Sequence, residues 1–495
     1  MKLIRNGSVL PGHSGGGTQS SYIAAFDDRI LAVAPECYIT NLHRLWETLG
    51  PADAEQNLFH GIASGIDLAD LLEVRAPKPA LQITTTQDFF SIQGAMETEK
   101  EVKKIYHAFG ADENFYRVED DAPHAVTKKN REARNAFFQK HLNLPGDPKD
   151  YKVEYLAPEE LQITETGKVS TSLGGETVFS LNRKEAQKSV EKLNRSRKNI
   201  KKHLQNIVAS AEKLSGYIAP HKLEGTVFTG RYQRDGYSVE KYFIKGEGDY
   251  PIPFLLFLPK NITGPSIIYL NPEGKEVQAS VGGEIERFVK KGHPVLAPDL
   301  VGIGEMGPNL SLWGKFDSDL GIVSYKHWFG PVQIARSNVG VHAGDIQRLV
   351  LYLKQRTDFS TEKIYAVARG ISCPALLHVA AFEKAFSRIA LIDPLISYRS
   401  MVMNRYYHAD AVPPFVAGAL TAYDLPDLAA SLAPDRLLLV NIKDQMGNPA
   451  PDKMMEEDLA IVKSSFSRAQ AEQNLKVVTL QPQQDIKQIY SIWLK

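Results

Sequence analysis

The 495-residue sequence predicts an α/β protein, with a partial parallel sheet near the amino end and a complete sheet in the later half. Three observations carry that expectation. Short, fully apolar runs alternate with helical stretches, the pattern of strands buried on both faces. A glycine-rich turn, Gly12-His13-Ser14-Gly15-Gly16-Gly17, separates one such run from a helix. With 43% hydrophobic and 23% charged residues the chain can bury a core, which excludes disordered and fibrous classes.

In chain order, a strand is expected over 8–11, a helix over 18–26 and a buried strand over 30–34. Residues 42–72 read as helix and loop, 80–85 as a strand, 95–109 as a helix, 115–118 as a strand and 128–142 as a closing helix. Pro145-Gly146-Asp147-Pro148 ends this first domain, 1–148. A connector, 149–222, starts extended and continues as one long helix over 181–215. There Val190, Leu193, Ile200, Leu204, Ile207 and Ala211 recur near the 3.6-residue period and Gly216 is a stop. That helix also carries Lys184, Lys188, Lys192, Arg195, Arg197 and Lys198, expected as the solvated face of a packed helix. The third segment, 223–495, has strands expected at 226–232, 239–244, 254–258, 266–270, 295–298, 364–368, 389–392, 437–442 and 475–480.

Lysine plus arginine (58) equals aspartate plus glutamate (58), so no net field exists to hold a polyanion, and neither nucleic acid nor a membrane is an expected partner. No apolar stretch approaches the roughly 18–20 residues that span a bilayer. The two cysteines, Cys37 and Cys373, sit inside apolar runs, which excludes a disulfide framework and leaves the compartment unassigned. Lys2 and Arg5 are not followed by the apolar core of a signal peptide, so a periplasmic or secreted location is an expectation only for a longer form.

Gly12-His13-Ser14-Gly15-Gly16 fits G-x-S-x-G between a strand and a helix, the setting of a nucleophile elbow. The flanking glycines are expected because strand and helix crowd the turn, and the Gly15 N–H is the expected oxyanion donor. A phosphate-cradling loop would want spaced glycines and a downstream lysine, which are absent. A serine hydroxyl becomes a nucleophile when a histidine takes its proton and a carboxylate orients that histidine. Asp88 ends the 80–85 strand region, and His124 follows the 115–118 strand. Taken singly, Asp88 reads as a helix cap and His124 as a surface histidine. Taken with Ser14, in chain order and each at the carboxyl end of a strand, they read as a catalytic triad.

His13, His43 and His60, with Glu36 or Asp67, have no helical H-x-x-x-H spacing, so no metal and no other cofactor is expected. His13 is expected to line the elbow, and Glu36 either to face the pocket or to form a cap or salt bridge.

The Gly12–Gln19 run, the segment Pro35-Glu36-Cys37-Tyr38-Ile39-Thr40, the run from Gly50 to Asn57 and the Asp88-Phe89-Phe90 turn together resemble the acetyl xylan esterase-like branch of the α/β-hydrolases over residues 5–145. That resemblance implies cleavage of small acyl esters, often acetyl groups on plant polysaccharide, without a cofactor. It also implies a partial α/β-hydrolase sheet, the C-terminal half, followed by a complete, degenerate α/β-hydrolase-like domain at 223–495. In this second copy Ser14 aligns with Gly370, Asp88 with Asp444, and no histidine follows His408; Ser372 lies two residues past the elbow position and is a poor substitute.

A nucleophile normally follows the fifth strand of such a sheet, whereas here it follows the first. The first expectation is therefore an N-terminally truncated chain. The alternatives are a half sheet docked on 223–495 or paired in a homodimer, and an inactive remnant. The function expected is that of a serine esterase on acylated carbohydrate or a small ester. A noncatalytic carbohydrate-binding or scaffold protein is the rival, and a prolyl-oligopeptidase-like peptidase ranks below both for want of propeller repeats.

Overall fold

The computed structural model describes residues 7–307, 325–481 and 483–494; Lys2 and Arg5 fall outside them. The chain divides into two compact units. One runs to Gly167 and includes Val332–Ile334, and the other holds the rest. The expected boundary at 148/149 lies within the first unit, and the 149–222 segment divides between the two.

The first unit is built on β1 (Ser8–His13), α1 (Gly15–Phe26), β2 (Ile30–Glu36), α2 (Leu42–Thr48), α3 (Asp70–Glu73), β3 (Ala80–Gln87), α4 (Ile92–Ala108), β4 (Phe115–Pro123) and α5 (Lys128–Leu142). Its four strands pair in the order β1-β2-β3-β4, all parallel. Alternate strand residues face opposite sides. Val33 and Ala80 join Ala24 of α1 and Val102 and Tyr106 of α4, whereas Ala32, Ala34, Leu81 and Ile83 pack on Phe137 of α5. Helices therefore cover both faces, as a parallel sheet requires. Strand β4 runs five residues past its expected end, through Glu119, Asp120 and Asp121. It is an outer strand of this sheet, so those carboxylates reach water, and Thr84 to Gln87 of β3 continue the pairing.

The second unit carries α6 (Val169–Ser172), α7 (Val178–Arg197), α8 (Ile200–Ser215), β5 (Val227–Arg234), β6 (Tyr237–Lys245), β7 (Pro251–Pro259), β8 (Ser266–Leu270), α9 (Glu284–Lys290), β9 (Val295–Pro298), α10 (Tyr325–Gln333, which runs across the division), α11 (Asn338–Gln355), β10 (Ile364–Arg369), α12 (Cys373–Glu383), β11 (Arg388–Ile392), α13 (Tyr398–Val402), α14 (Leu425–Ser431), β12 (Arg436–Val440), α15 (Asp452–Arg468), β13 (Leu475–Val478) and α16 (Ile486–Trp493). Among the described residues its nine strands pair in the order β13-β12-β11-β10-β8-β9-β7-β6-β5. Strands β8 to β13 are mutually parallel, and β5 to β7 add an antiparallel flank. The α/β expectation holds for both units.

The single helix expected over 181–215 is instead two, α7 and α8. The side chain of Asn199 accepts from Lys202 N–H and starts α8. Asparagine offers the backbone this local partner in place of a continued helix, which is why an unbroken apolar period does not secure an unbroken helix. Most basic residues of α7 are exposed, as expected, but Arg197 makes two 2.8 Å bonds to the buried Asp427, which also bonds His203 Nε2 at 2.9 Å. No helix among the described residues is long and apolar enough to cross a membrane.

Candidate active site

The carboxyl ends of β1 to β4 line up, with His13 in register with Glu36 and Gln87 with Pro123. Residues just past those ends therefore share one rim of the sheet, where open α/β sheets hold their sites.

Ser14 occupies the turn between β1 and α1 at φ 56°, ψ −120°. A non-glycine residue there is strained, and such strain persists only where the surroundings impose it. Its N–H donates to Glu36 O at 2.9 Å, its carbonyl accepts from Thr18 N–H at 3.0 Å, and its hydroxyl makes no cap bond to the helix it precedes. Packing explains the glycines, with one change from the sequence expectation. A Cβ on Gly12 would lie 1.9 Å from Gly16 O, and one on Gly17 would lie 2.9 Å from Glu36 O and from Tyr38 Cβ. A Cβ on Gly16 would meet nothing within 4 Å, so the second sterically required glycine is Gly17. Gly15 opens α1, and its N–H belongs to the first turn, which has no partner inside the helix.

Asp88 follows β3, and its side chain is buried. Its Oδ1 and Oδ2 lie 2.9 and 3.0 Å from His124 Nδ1. Phe90 N–H donates to Oδ1 at 3.0 Å and the Thr85 hydroxyl to Oδ2 at 3.2 Å. His124, just past β4, has its ring 4.3 Å from that of Phe89 and 4.6 Å from that of His13. With Nδ1 committed to the carboxylate, Nε2 is the nitrogen left to exchange a proton. The structure thus joins Asp88 to His124 directly and sets Ser14 next to His13, whose ring is tilted by 49° against that of His124. Among the described residues no hydrogen bond joins Ser14 Oγ to His124.

Two more residues at this rim were weakly marked in the sequence. Glu36 is fully buried and pairs through Oε2 with Arg134 Nη1 at 3.1 Å, the salt-bridge alternative of the two expected. Burial pushes its carboxyl up against the pull of Arg134 and Arg131. Cys37, the next residue, is buried at φ 52° with Sγ 3.5 Å from Thr85 Oγ1. Burial pushes its thiol up to about 12. The usable signal was its place immediately past a strand's carboxyl end, the same signal that marks Asp88 and His124. His43 pairs instead with Glu47 at 3.3 Å, His60 stacks on Phe59 at 3.7 Å, and Asp67 accepts from Leu42 N–H; these are not gathered with His13.

In the second unit the turn after β10 holds Gly370 at φ 48°. Ser372 lies in the short turn before α12 at φ −81°, buried, with its Oγ unpartnered. Asp444 Oδ1 accepts from Met446 and Asn448 N–H, and His408 caps a short turn. Arg369 bonds Glu284 at 2.9 Å.

No protein-family model matches the chain, and no curated protein matches it. Among solved structures, a Bacteroides fragilis protein provisionally named an acetyl xylan esterase aligns at a TM-score of 0.50 with 16% identity, over 67% of this chain and 89% of its own. A glucuronoyl esterase from Teredinibacter turnerae aligns at 0.41 with 13% identity, over 59% and 83%. An acetyl xylan esterase from Paenibacillus sp. R4 aligns at 0.40 with 14% identity, over 58% and 90%. The structural neighbours are thus acetyl xylan and glucuronoyl esterases, and what this chain shares with the first of them is the α/β-hydrolase fold.

Proposed function

We propose that the chain is a serine esterase that hydrolyses acyl esters of carbohydrate, acetyl esters foremost, with Ser14, His124 and Asp88 as its triad. The observation that carries this reading is the buried Asp88 carboxylate bonded through both oxygens to His124 Nδ1, at the rim where Ser14 is held at positive φ. Asp88 keeps the Nδ1–H tautomer, so Nε2 presents its lone pair. Ser14 Oγ attacks the ester carbonyl while its proton passes to Nε2. The oxyanion that forms accepts from Gly15 N–H. His124 then returns the proton to the leaving sugar oxygen, and water repeats the sequence to release the acid. The acyl carbohydrate substrate rests on the named neighbours, which are carbohydrate esterases.

The second unit reads best as a degenerate copy of the first. Each has a positive-φ turn between a parallel strand and a helix, at Ser14 and at Gly370. Each later has a 17-residue helix, α4 or α15, followed by a one-turn 3-10 helix and a strand. Asn114 Nδ2 donates to Pro77 O and Asn474 Nδ2 to Pro434 O, both at 2.7 Å. Asp88 and Asp444 each accept from the N–H two residues on. The copy has neither the serine nor the histidine, which suits packing or sugar binding rather than turnover.

Release of acetate from a chromogenic acetyl ester, with and without Ser14→Ala, tests the esterase reading. The variant is expected to lose roughly 10⁴- to 10⁶-fold in kcat. Equal rates, together with no labelling of Ser14 by a fluorophosphonate, would leave the noncatalytic binding reading in its place.

A further inference from the structure

The rim of the first unit gathers one group of side chains that ester hydrolysis does not use as a set. His13, Cys37 and His124 each offer a donor atom, and the three donors lie within 4.8 Å of one another. They come from the carboxyl ends of β1, β2 and β4. His13 Nε2 is buried without a hydrogen-bond partner, a cost that a ligand would relieve. Asp88 on His124 Nδ1 is the arrangement by which a carboxylate orients a histidine whose other nitrogen binds a metal.

We propose that His13, Cys37 and His124 form a site for a thiophilic divalent cation of the zinc class, bound through His124 Nε2 and the Cys37 sulfur. Two imidazoles and a thiolate suit zinc, whereas magnesium and calcium select oxygen ligands. In a tetrahedral zinc site, with Zn–N at about 2.0–2.1 Å and Zn–S at about 2.3 Å, donors sit roughly 3.3–3.6 Å apart. The three side chains would therefore close by up to about 1.2–1.5 Å on a bound ion, leaving the fourth position to water. Loading replaces the Cys37 thiol proton by the ion. The consequence for turnover rests on the catalytic reading above. With the ion on Nε2, His124 cannot take the Ser14 proton, and zinc competes with hydrolysis.

Zinc titration of the full chain by calorimetry, and cobalt titration followed by the thiolate-to-metal charge-transfer band, test the site without reference to turnover. One ion per chain is expected, with the cobalt band lost in Cys37→Ser. Zinc affinity is expected to fall by more than about 100-fold in Cys37→Ser and, separately, in His13→Asn, since losing even an outer-shell partner costs about 10- to 100-fold. Absence of stoichiometric uptake, or affinity unchanged in both variants, would overturn the site. Zinc uptake by a chain that hydrolyses no ester would support the site and remove only the catalytic reading, whereas zinc-stimulated hydrolysis would overturn the competition.

Discussion

The Ser14 turn of the first unit and the Gly370 turn of the second have closely similar φ, 56° and 48°, each between a parallel strand and a helix. The side chains differ. Glycine takes this conformation at little cost, whereas serine there carries strain of about 1–3 kcal/mol. Stability alone would put glycine at both turns, so the serine at 14 asks for another reason, and a reactive hydroxyl is one. Their neighbours differ in the same sense. Ser14 follows His13, whose ring centroid lies 4.6 Å from that of His124, while Gly370 follows Arg369, paired to Glu284. One rim holds two imidazoles in ring contact, and the other an arginine paired to a carboxylate.

The largest effect expected at the first rim, beside loss of the serine itself, is that of Asp88→Asn. The amide leaves the fold in place but donates where the carboxylate accepted, so His124 turns to the wrong tautomer and kcat falls about 10⁴-fold. Unchanged fluorophosphonate labelling in that variant would break the contrast between the two rims. Next comes the packing of the turn. Gly12→Ala is expected to destabilise the first unit by several kcal/mol, because its Cβ would fall 1.9 Å from a backbone oxygen. Gly16→Ala, with nothing within 4 Å, is expected to be neutral or stabilising by up to about 1 kcal/mol. Urea unfolding compares the two, and equal costs would show that the turn is not held as described.

The smallest effects bear directly on the serine and glycine difference. Ser14→Gly is expected to abolish hydrolysis while stabilising the first unit by about 1 kcal/mol. Gly370→Ser is expected to cost about 1–3 kcal/mol and to create no esterase activity. The cost is of the backbone alone, since an added Cβ there comes no nearer than 3.8 Å to Pro272. Differential scanning calorimetry of both variants gives the two signs, and a stabilising serine at 370 would undo the strain argument.

The strands were legible in the sequence because buried parallel strands are written as short apolar runs, and their carboxyl ends pointed to Ser14, Asp88 and His124. Two features were legible only in part. The break at Asn199 depends on a side-chain cap competing with helix continuation, to which apolar periodicity is blind. Cys37 stands just past a strand in the sequence, but only the turn at φ 52° brings its sulfur to Thr85.

By itself the amino-acid order determined the alternation of strand and helix, the glycine turn around Ser14 and the chain order of serine, carboxylate and imidazole, because these are local patterns of size, polarity and backbone freedom. Tertiary structure alone decided that Asp88 meets His124 at hydrogen-bond distance, that Gly17 rather than Gly16 is sterically required, and that His13, Cys37 and His124 converge. Those are distances between residues 19 to 111 positions apart. The pairing of the parallel strands brings them together, and that pairing joins segments far apart in the chain.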